Sequence, residues 1–118
     1  MGKVDNSLAT ESEFKRFRKN HERELVSCFS NLQRILDFLN TGRKLSSLAN
    51  NPKFFRPEGK GVFRIGQTGL TNAKETRLYV YPFEEKRLVF ILGIGTKETQ
   101  RADIASAKAS IKGISSKK

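Results

Sequence analysis

The chain has 118 residues, the size of one small domain, with 36% hydrophobic residues and a mean hydropathy of -0.54. Lys and Arg number 23 against 12 Asp and Glu, a formal net charge of +11 that favours a polyanionic partner: RNA, DNA, an acidic protein or an anionic surface. No apolar run approaches the ~20 residues of a spanning helix. MGKVDNSLATESEF has no apolar signal-peptide core, and the single Cys28 allows no internal disulfide, so a cytoplasmic location is expected.

Residues 1–9 are polar and read either as one short strand, Lys3 to Leu8, or as a frayed terminus. Ser12 to Asn20 turns helical and very basic, with Lys15, Arg16, Arg18 and Lys19, and with Phe14 and Phe17 on one face. Glu22 to Asn40 predicts a second helix. Its Leu25, Cys28, Phe29, Leu32, Ile35, Leu36 and Leu39 recur at three- and four-residue spacing, a stripe for the core. Gly42 supplies a left-handed stop. Residues 43–61 read as a connector rich in Pro, Gly, Asn and Lys, pinned by Phe54 and Phe55.

Val62 to Gln67 predicts a strand with Phe63 and Ile65 on one face and Arg64 on the other. Residues 67–74 form a loop or hairpin tip. Thr76 to Phe83 is the next strand: Leu78 and Val80 share a face, and Arg77, Tyr79, Tyr81 and Phe83 share the opposite one. Glu84 to Lys86 turns the chain. Arg87 to Ile94 is apolar at successive positions, as in a central strand covered on both sides. Thr99 can then cap a last helix, with Asp103 in its first turn and Ile104, Ala105, Ala107 and Ile111 for packing. Residues 114–118 read as a loose tail. The sum is a single α+β domain over 1–118: a small, mainly antiparallel sheet of three or four strands, two N-terminal helices on one face, and a C-terminal helix at the edge or on the opposite face.

The chemistry is narrow. One His and one Cys exclude a structural zinc site, no GxxxxGK[ST] loop is present, and no Ser-His-Asp or paired-carboxylate constellation stands out. No metal or cofactor is expected. What remains is cations and aromatics. Alternation places Arg64 and Arg77 on one face of neighbouring strands, ~5 Å apart, with Lys97 closing the site from the end of the last strand. Tyr79 and Tyr81 follow Arg77 at two-residue spacing. A base can stack on such a tyrosine while a guanidinium grips the phosphate; equally, Tyr81 and Phe83 can pack beneath the last helix. The cluster Lys15, Arg16, Arg18 and Lys19 is either a solvated face or a docking surface. Glu75 or Glu85 can neutralise a strand arginine.

GVFRIGQ, ETRLYVYPFEEKRLVFILGIGTKETQ and ADIASAKASI resemble the C-terminal half of the RelE superfamily of bacterial toxins, and residues 11–19 fit its first helix. The likeness extends over residues 61–112 and, more loosely, 11–42. It implies a compact sheet with two N-terminal helices and a ribosome-dependent mRNA endonuclease, neutralised by a co-encoded acidic antitoxin. The implied partners are therefore antitoxin, ribosome and mRNA, with no membrane. The implied reaction is metal-independent: the RNA 2′-hydroxyl attacks the adjacent phosphate. Arg77 matches the family's strand arginine, Arg64 its basic residue one strand earlier, and Lys97 the second residue of its basic pair, with Thr96 at the first. Many members carry a tyrosine or histidine on the last helix; here Asp103 and Ile104 occupy that region. Tyr79, Tyr81 or Lys74 would compensate, or the chain is a non-catalytic nucleic-acid-binding domain on the same scaffold.

Overall fold

The computed structural model describes residues 3–5, 11–42, 54–71, 73–83 and 88–115. The elements run β1 (Lys3–Asp5), α1 (Glu11–Asn40), β2 (Phe55–Gly59), β3 (Val62–Gly66), β4 (Thr76–Phe83), β5 (Leu88–Thr96), a short 3₁₀ turn (Lys97–Thr99) and α2 (Gln100–Ser115). The class is α+β, as the pattern predicts. The sheet is larger than expected, with five strands in the order β1-β5-β4-β3-β2. Strands β2 to β5 are antiparallel neighbours, and β1 joins β5 in parallel.

Two differences from the sequence reading have physical causes. First, the two expected N-terminal helices are one element, Glu11–Asn40, bent where His21 leaves helical geometry (φ -139°, ψ 49°). The Asn20 side-chain amide donates to the Arg16 carbonyl (3.4 Å), the acceptor one turn back, so it competes with the backbone ladder just before the bend. The His21 ring lies against Phe17, with centroids 4.8 Å apart. Second, the expected connector contains β2. Glu58 is an extra residue where the β2–β3 register shifts, and Lys60 and Gly61 both have positive φ (54° and 87°). Two successive positive φ values make the tight turn whose twist matches a hairpin, and Lys-Gly there is its sequence mark. Residues 43–53, within the expected connector, and 84–87, which include the expected turn Glu84 to Lys86 and Arg87, lie outside the described residues.

The sheet is covered on both faces. On one side α1 delivers its stripe: Leu25, Cys28, Leu32, Ile35, Leu36 and Leu39 pack on Phe55, Ile65, Leu78, Val80, Val89, Ile91 and Ile94. Each fully buried aliphatic side chain contributes roughly 1.5–3 kcal/mol. On the other side Ala107 and Ile111 of α2 pack with Val62, Tyr79 and Leu92, flanked by Tyr81, Phe83, Phe90 and Ile104. This is why β5 is apolar at successive positions. Its register against β4 slips between Tyr79 and Val80, so Leu92 is the extra residue. Gly42 ends α1 with φ 82°, as its position predicts.

Candidate functional site

The row that matters runs across three strands. Arg77 of β4 is paired with Gly66 of β3 on one side and Gly95 of β5 on the other. Its two neighbours therefore have no side chains, and the guanidinium stem lies in a slot between bare backbones. The two flanks differ. A Cβ on Gly95 would lie 1.9 Å from Asp103 Oδ2 and 2.7 Å from Thr99 Oγ1, so the start of α2 fills that flank. A Cβ on Gly66 would meet only the carbonyl oxygens of Phe54 and Thr76, both at 3.9 Å. Among the described residues no side chain comes within 4 Å of that point. That backbone is also held from beneath: Asn31 of α1 donates to the Gly66 carbonyl (2.7 Å), and the Gly66 amide donates to Phe54 (2.7 Å).

Cations converge on this slot. Arg77 Nη2 lies 4.0 Å and Lys97 Nζ 3.5 Å from the same oxygen, Glu75 Oε2. The Lys97 amide also donates to the Glu75 carbonyl (3.0 Å), which locks the end of β5 to the entry of β4. Arg64, two residues before Gly66 on the same face, has Nε 3.3 Å from Glu58 Oε2 and donates from Nη1 to Gln100 of α2 (3.3 Å). Lys74 pairs with Glu98. Arg64, Arg77, Lys74 and Lys97 thus pair with three carboxylates, Glu58, Glu75 and Glu98, while Asp103 accepts from the Thr99 hydroxyl. The pairing is loose at the rim: Glu75 and Glu98 are 60% and 70% exposed and can swing into water. Beneath the rim, Arg77 Nε is buried with no hydrogen-bond partner, a donor without an acceptor.

The tyrosine expectation is corrected. Tyr79 has no exposed surface and lies under α2, so no base can stack on it. Its hydroxyl is buried without a hydrogen-bond partner. Burial pushes its pKa up to about 12, Asp103 and Glu58 adding to the rise while Arg77 and Arg64 oppose it. Tyr81 is half-buried, its ring over the Gly61 backbone and near Phe90. Packing beneath the last helix, the alternative weighed for Tyr81 and Phe83, is found for both, and it extends to Tyr79. Periodicity sees only alternation, not which helix covers the face.

Lys15, Arg16, Arg18 and Lys19 are all exposed on α1, the helix on the opposite face, so they do not join the Arg77 group. Arg18 borders a shallow apolar groove of about 490 Å³ with Leu25, Val26 and Phe29. Among the described residues no cluster of His, Cys, Asp or Glu could hold a metal ion, and no helix is long and apolar enough to cross a membrane. Gly66 was missed by the sequence reading. Its only signal is a glycine at the end of a strand, which marks a close approach without saying of what. No protein-family model matches the chain, and no curated protein or solved structure is significantly similar to it.

Proposed function

We propose that this protein is a toxin of the RelE kind, an endoribonuclease that cuts translated mRNA on the ribosome in the cytoplasm and is held in check by an acidic antitoxin. The observation that carries the reading is Arg77 between two glycines, with a buried unpartnered Nε and unfilled space over Gly66. On binding, the Arg77 side chain would turn outward over Gly66 to bring this Nε, buried in the free protein, to a phosphate oxygen. Support also comes from the order of elements, a bent N-terminal helix, antiparallel strands and a closing helix, and from the net charge of +11.

In the reaction the 2′-oxygen bonds to phosphorus, the bond to the 5′-oxygen breaks, and a cyclic phosphate and free 5′-hydroxyl result. Arg77 and Arg64 would stabilise the charge building on the phosphoryl oxygens. Glu75, set between Arg77 and Lys97, would accept the 2′-hydroxyl proton, and Lys97 would protonate the departing oxygen. The second reading, a non-catalytic nucleic-acid-binding domain, is favoured by the sealed Tyr79 and by Asp103 already receiving the Thr99 hydroxyl at 2.5 Å.

Induced expression decides between them. The wild type is expected to arrest growth and to leave mRNA cut within translated regions, read by primer extension. Arg77→Ala should lose about a hundredfold in cleavage rate, on the order of 3 kcal/mol for one preorganised charge contact, and Arg77→Lys should recover only part of it. Normal growth with intact transcripts at confirmed protein levels selects the binding domain.

A further inference from the structure

Among the described residues three polar side chains are buried: Glu24, Asn31 and Thr76. Taking a polar group out of water is costly unless its hydrogen bonds are replaced. All three find their partners at one place, the connection from β3 to β4. That connection leaves Gly66, one wall of the Arg77 slot, and returns at Thr76, the residue before Arg77. A wall without a side chain has nothing to pack, so hydrogen bonds to its backbone must set its place.

Among the described residues no backbone–backbone hydrogen bond joins positions 67–71 and 73–74. Side chains take over where the ladder stops. The Thr76 amide donates to the Gln67 side chain (2.8 Å), in the place of the next rung. The other bonds come from one row of α1, Glu24, Ser27 and Asn31, at three- and four-residue spacing. Ser27 grips Thr68 twice: its hydroxyl donates to the Thr68 carbonyl (3.1 Å) and accepts from the Thr68 amide (2.9 Å). Asn31 donates to the Gly66 carbonyl (2.7 Å) and reaches the Thr68 hydroxyl (3.4 Å). Glu24 accepts from the Lys74 amide (3.3 Å). The row therefore holds the connection at both ends, just after Gly66 and just before Arg77. Ser27 is not part of the apolar stripe of α1, so its hydroxyl can be removed without opening the core.

We infer that Ser27 and Asn31, with Glu24 at the far end, are positioning residues for the Arg77 slot. From the α1 face of the sheet they fix the Gly66 edge and keep residues 67 and 68 clear of the space into which Arg77 turns. Released from α1, that edge would fray, the Arg77 Nε would meet water, and an anion would find no rigid wall beside it. The inference rests on reading the slot as a phosphate site, but not on cleavage.

The test uses Arg77 as its own reporter. Its Nε–H signal, assigned by its loss in Arg77→Lys, is followed in nitrogen–proton correlation spectra, first for exchange with water and then during titration with inorganic phosphate. In Ser27→Ala the proton should exchange about fivefold faster and phosphate should bind about fivefold more weakly, the effect of about one net hydrogen bond. Ser27→Thr keeps the hydroxyl and should stay within about twofold of wild type in both. Gln33→Ala removes an exposed α1 bond to Asp37 (2.9 Å) and should change neither. Asn31→Ala should act in the same direction as Ser27→Ala; if melting curves show that it unfolds, Ser27→Ala still decides. A lower melting temperature in Ser27→Ala with exchange and affinity unchanged makes the row merely structural and overturns the inference. So does a Ser27→Thr as defective as Ser27→Ala, or a Gln33→Ala that matches it. A wild-type signal indifferent to phosphate, with exchange still faster in Ser27→Ala, overturns the phosphate reading and supports the positioning role.

Discussion

Tyr79 shows how a single side chain can be correctly placed by sequence and still be misread. Alternation puts it on the face of Arg77, and it is there, but α2 seals it. Its hydroxyl has no partner, so Tyr79→Phe removes a buried polar group and leaves the ring packing intact. At pH 7 the variant should melt at or above the wild-type temperature. The alkaline limb discriminates further. With a folded pKa near 12 against an ordinary 10.0, the unfolded chain gives up this proton first, so stability is unaffected below pH 10 and falls from pH 10 to 12. That component is on the order of 2–3 kcal/mol and should vanish in Tyr79→Phe. The burial-raised Cys28, also near 12 from 9.0, leaves its own decline beginning at pH 9. Melting curves against pH read both, and an unchanged alkaline limb in Tyr79→Phe would mean the phenol is solvated. Arg77 was legible because two-residue periodicity alone fixes its face; Gly66 was not, because a missing side chain leaves no pattern.

At the level of elements, the strands β3, β4 and β5 were legible from alternation and the helix stripe from its spacing. Strand β2 was not, because Arg56, Pro57, Glu58 and Gly59 carry no apolar alternation beyond Phe55. It exists because Phe55 stacks on Phe63 (4.6 Å, 4°) and because Lys60-Gly61 turns tightly. The bend at His21 was legible as a junction, but its continuity with the next segment was not, since a side-chain contact to Arg16 has no periodic signature. The docking of α2 on β5 gives the element-scale prediction. Gly95→Ala places a methyl 1.9 Å from the Asp103 carboxylate and should cost about 1–3 kcal/mol. Adding Asp103→Ala should restore part of it, a non-additive pair. Gly66→Ala meets nothing closer than 3.9 Å, so it should melt within about 0.5 kcal/mol of wild type yet lose RNA affinity by filling the space beside Arg77. Melting and binding measured on these three variants and on Asp103→Ala alone check this; a destabilised Gly66→Ala would mean the space is already taken.

For the whole molecule, the distribution of charge divides the surface into two basic regions on opposite sides of the sheet. The α1 cations serve no ion pair to the Arg77 slot, so reversing Lys15 and Lys19 to Glu should leave the melting temperature within about 2 °C and lower ribosome affinity at least tenfold in low salt, with the difference shrinking as salt rises. Ribosome sedimentation across a salt series measures it; unchanged affinity makes that helix a solvated face. The class of fold was legible from the order of elements, whereas the size of the sheet was not, because β1 was only one of two readings of residues 1–9 and β2 lay inside the expected connector. That short strand has a further consequence. Among the described residues Lys3 to Asp5 pair with Leu88 to Phe90, a partner translated 85 positions later, and Gly95, one wall of the Arg77 slot, emerges later still. While the chain is growing on its own ribosome, neither the outermost seam of the sheet nor the slot exists. Whatever chemistry the slot performs therefore begins only after β5 has emerged and the sheet has closed around it.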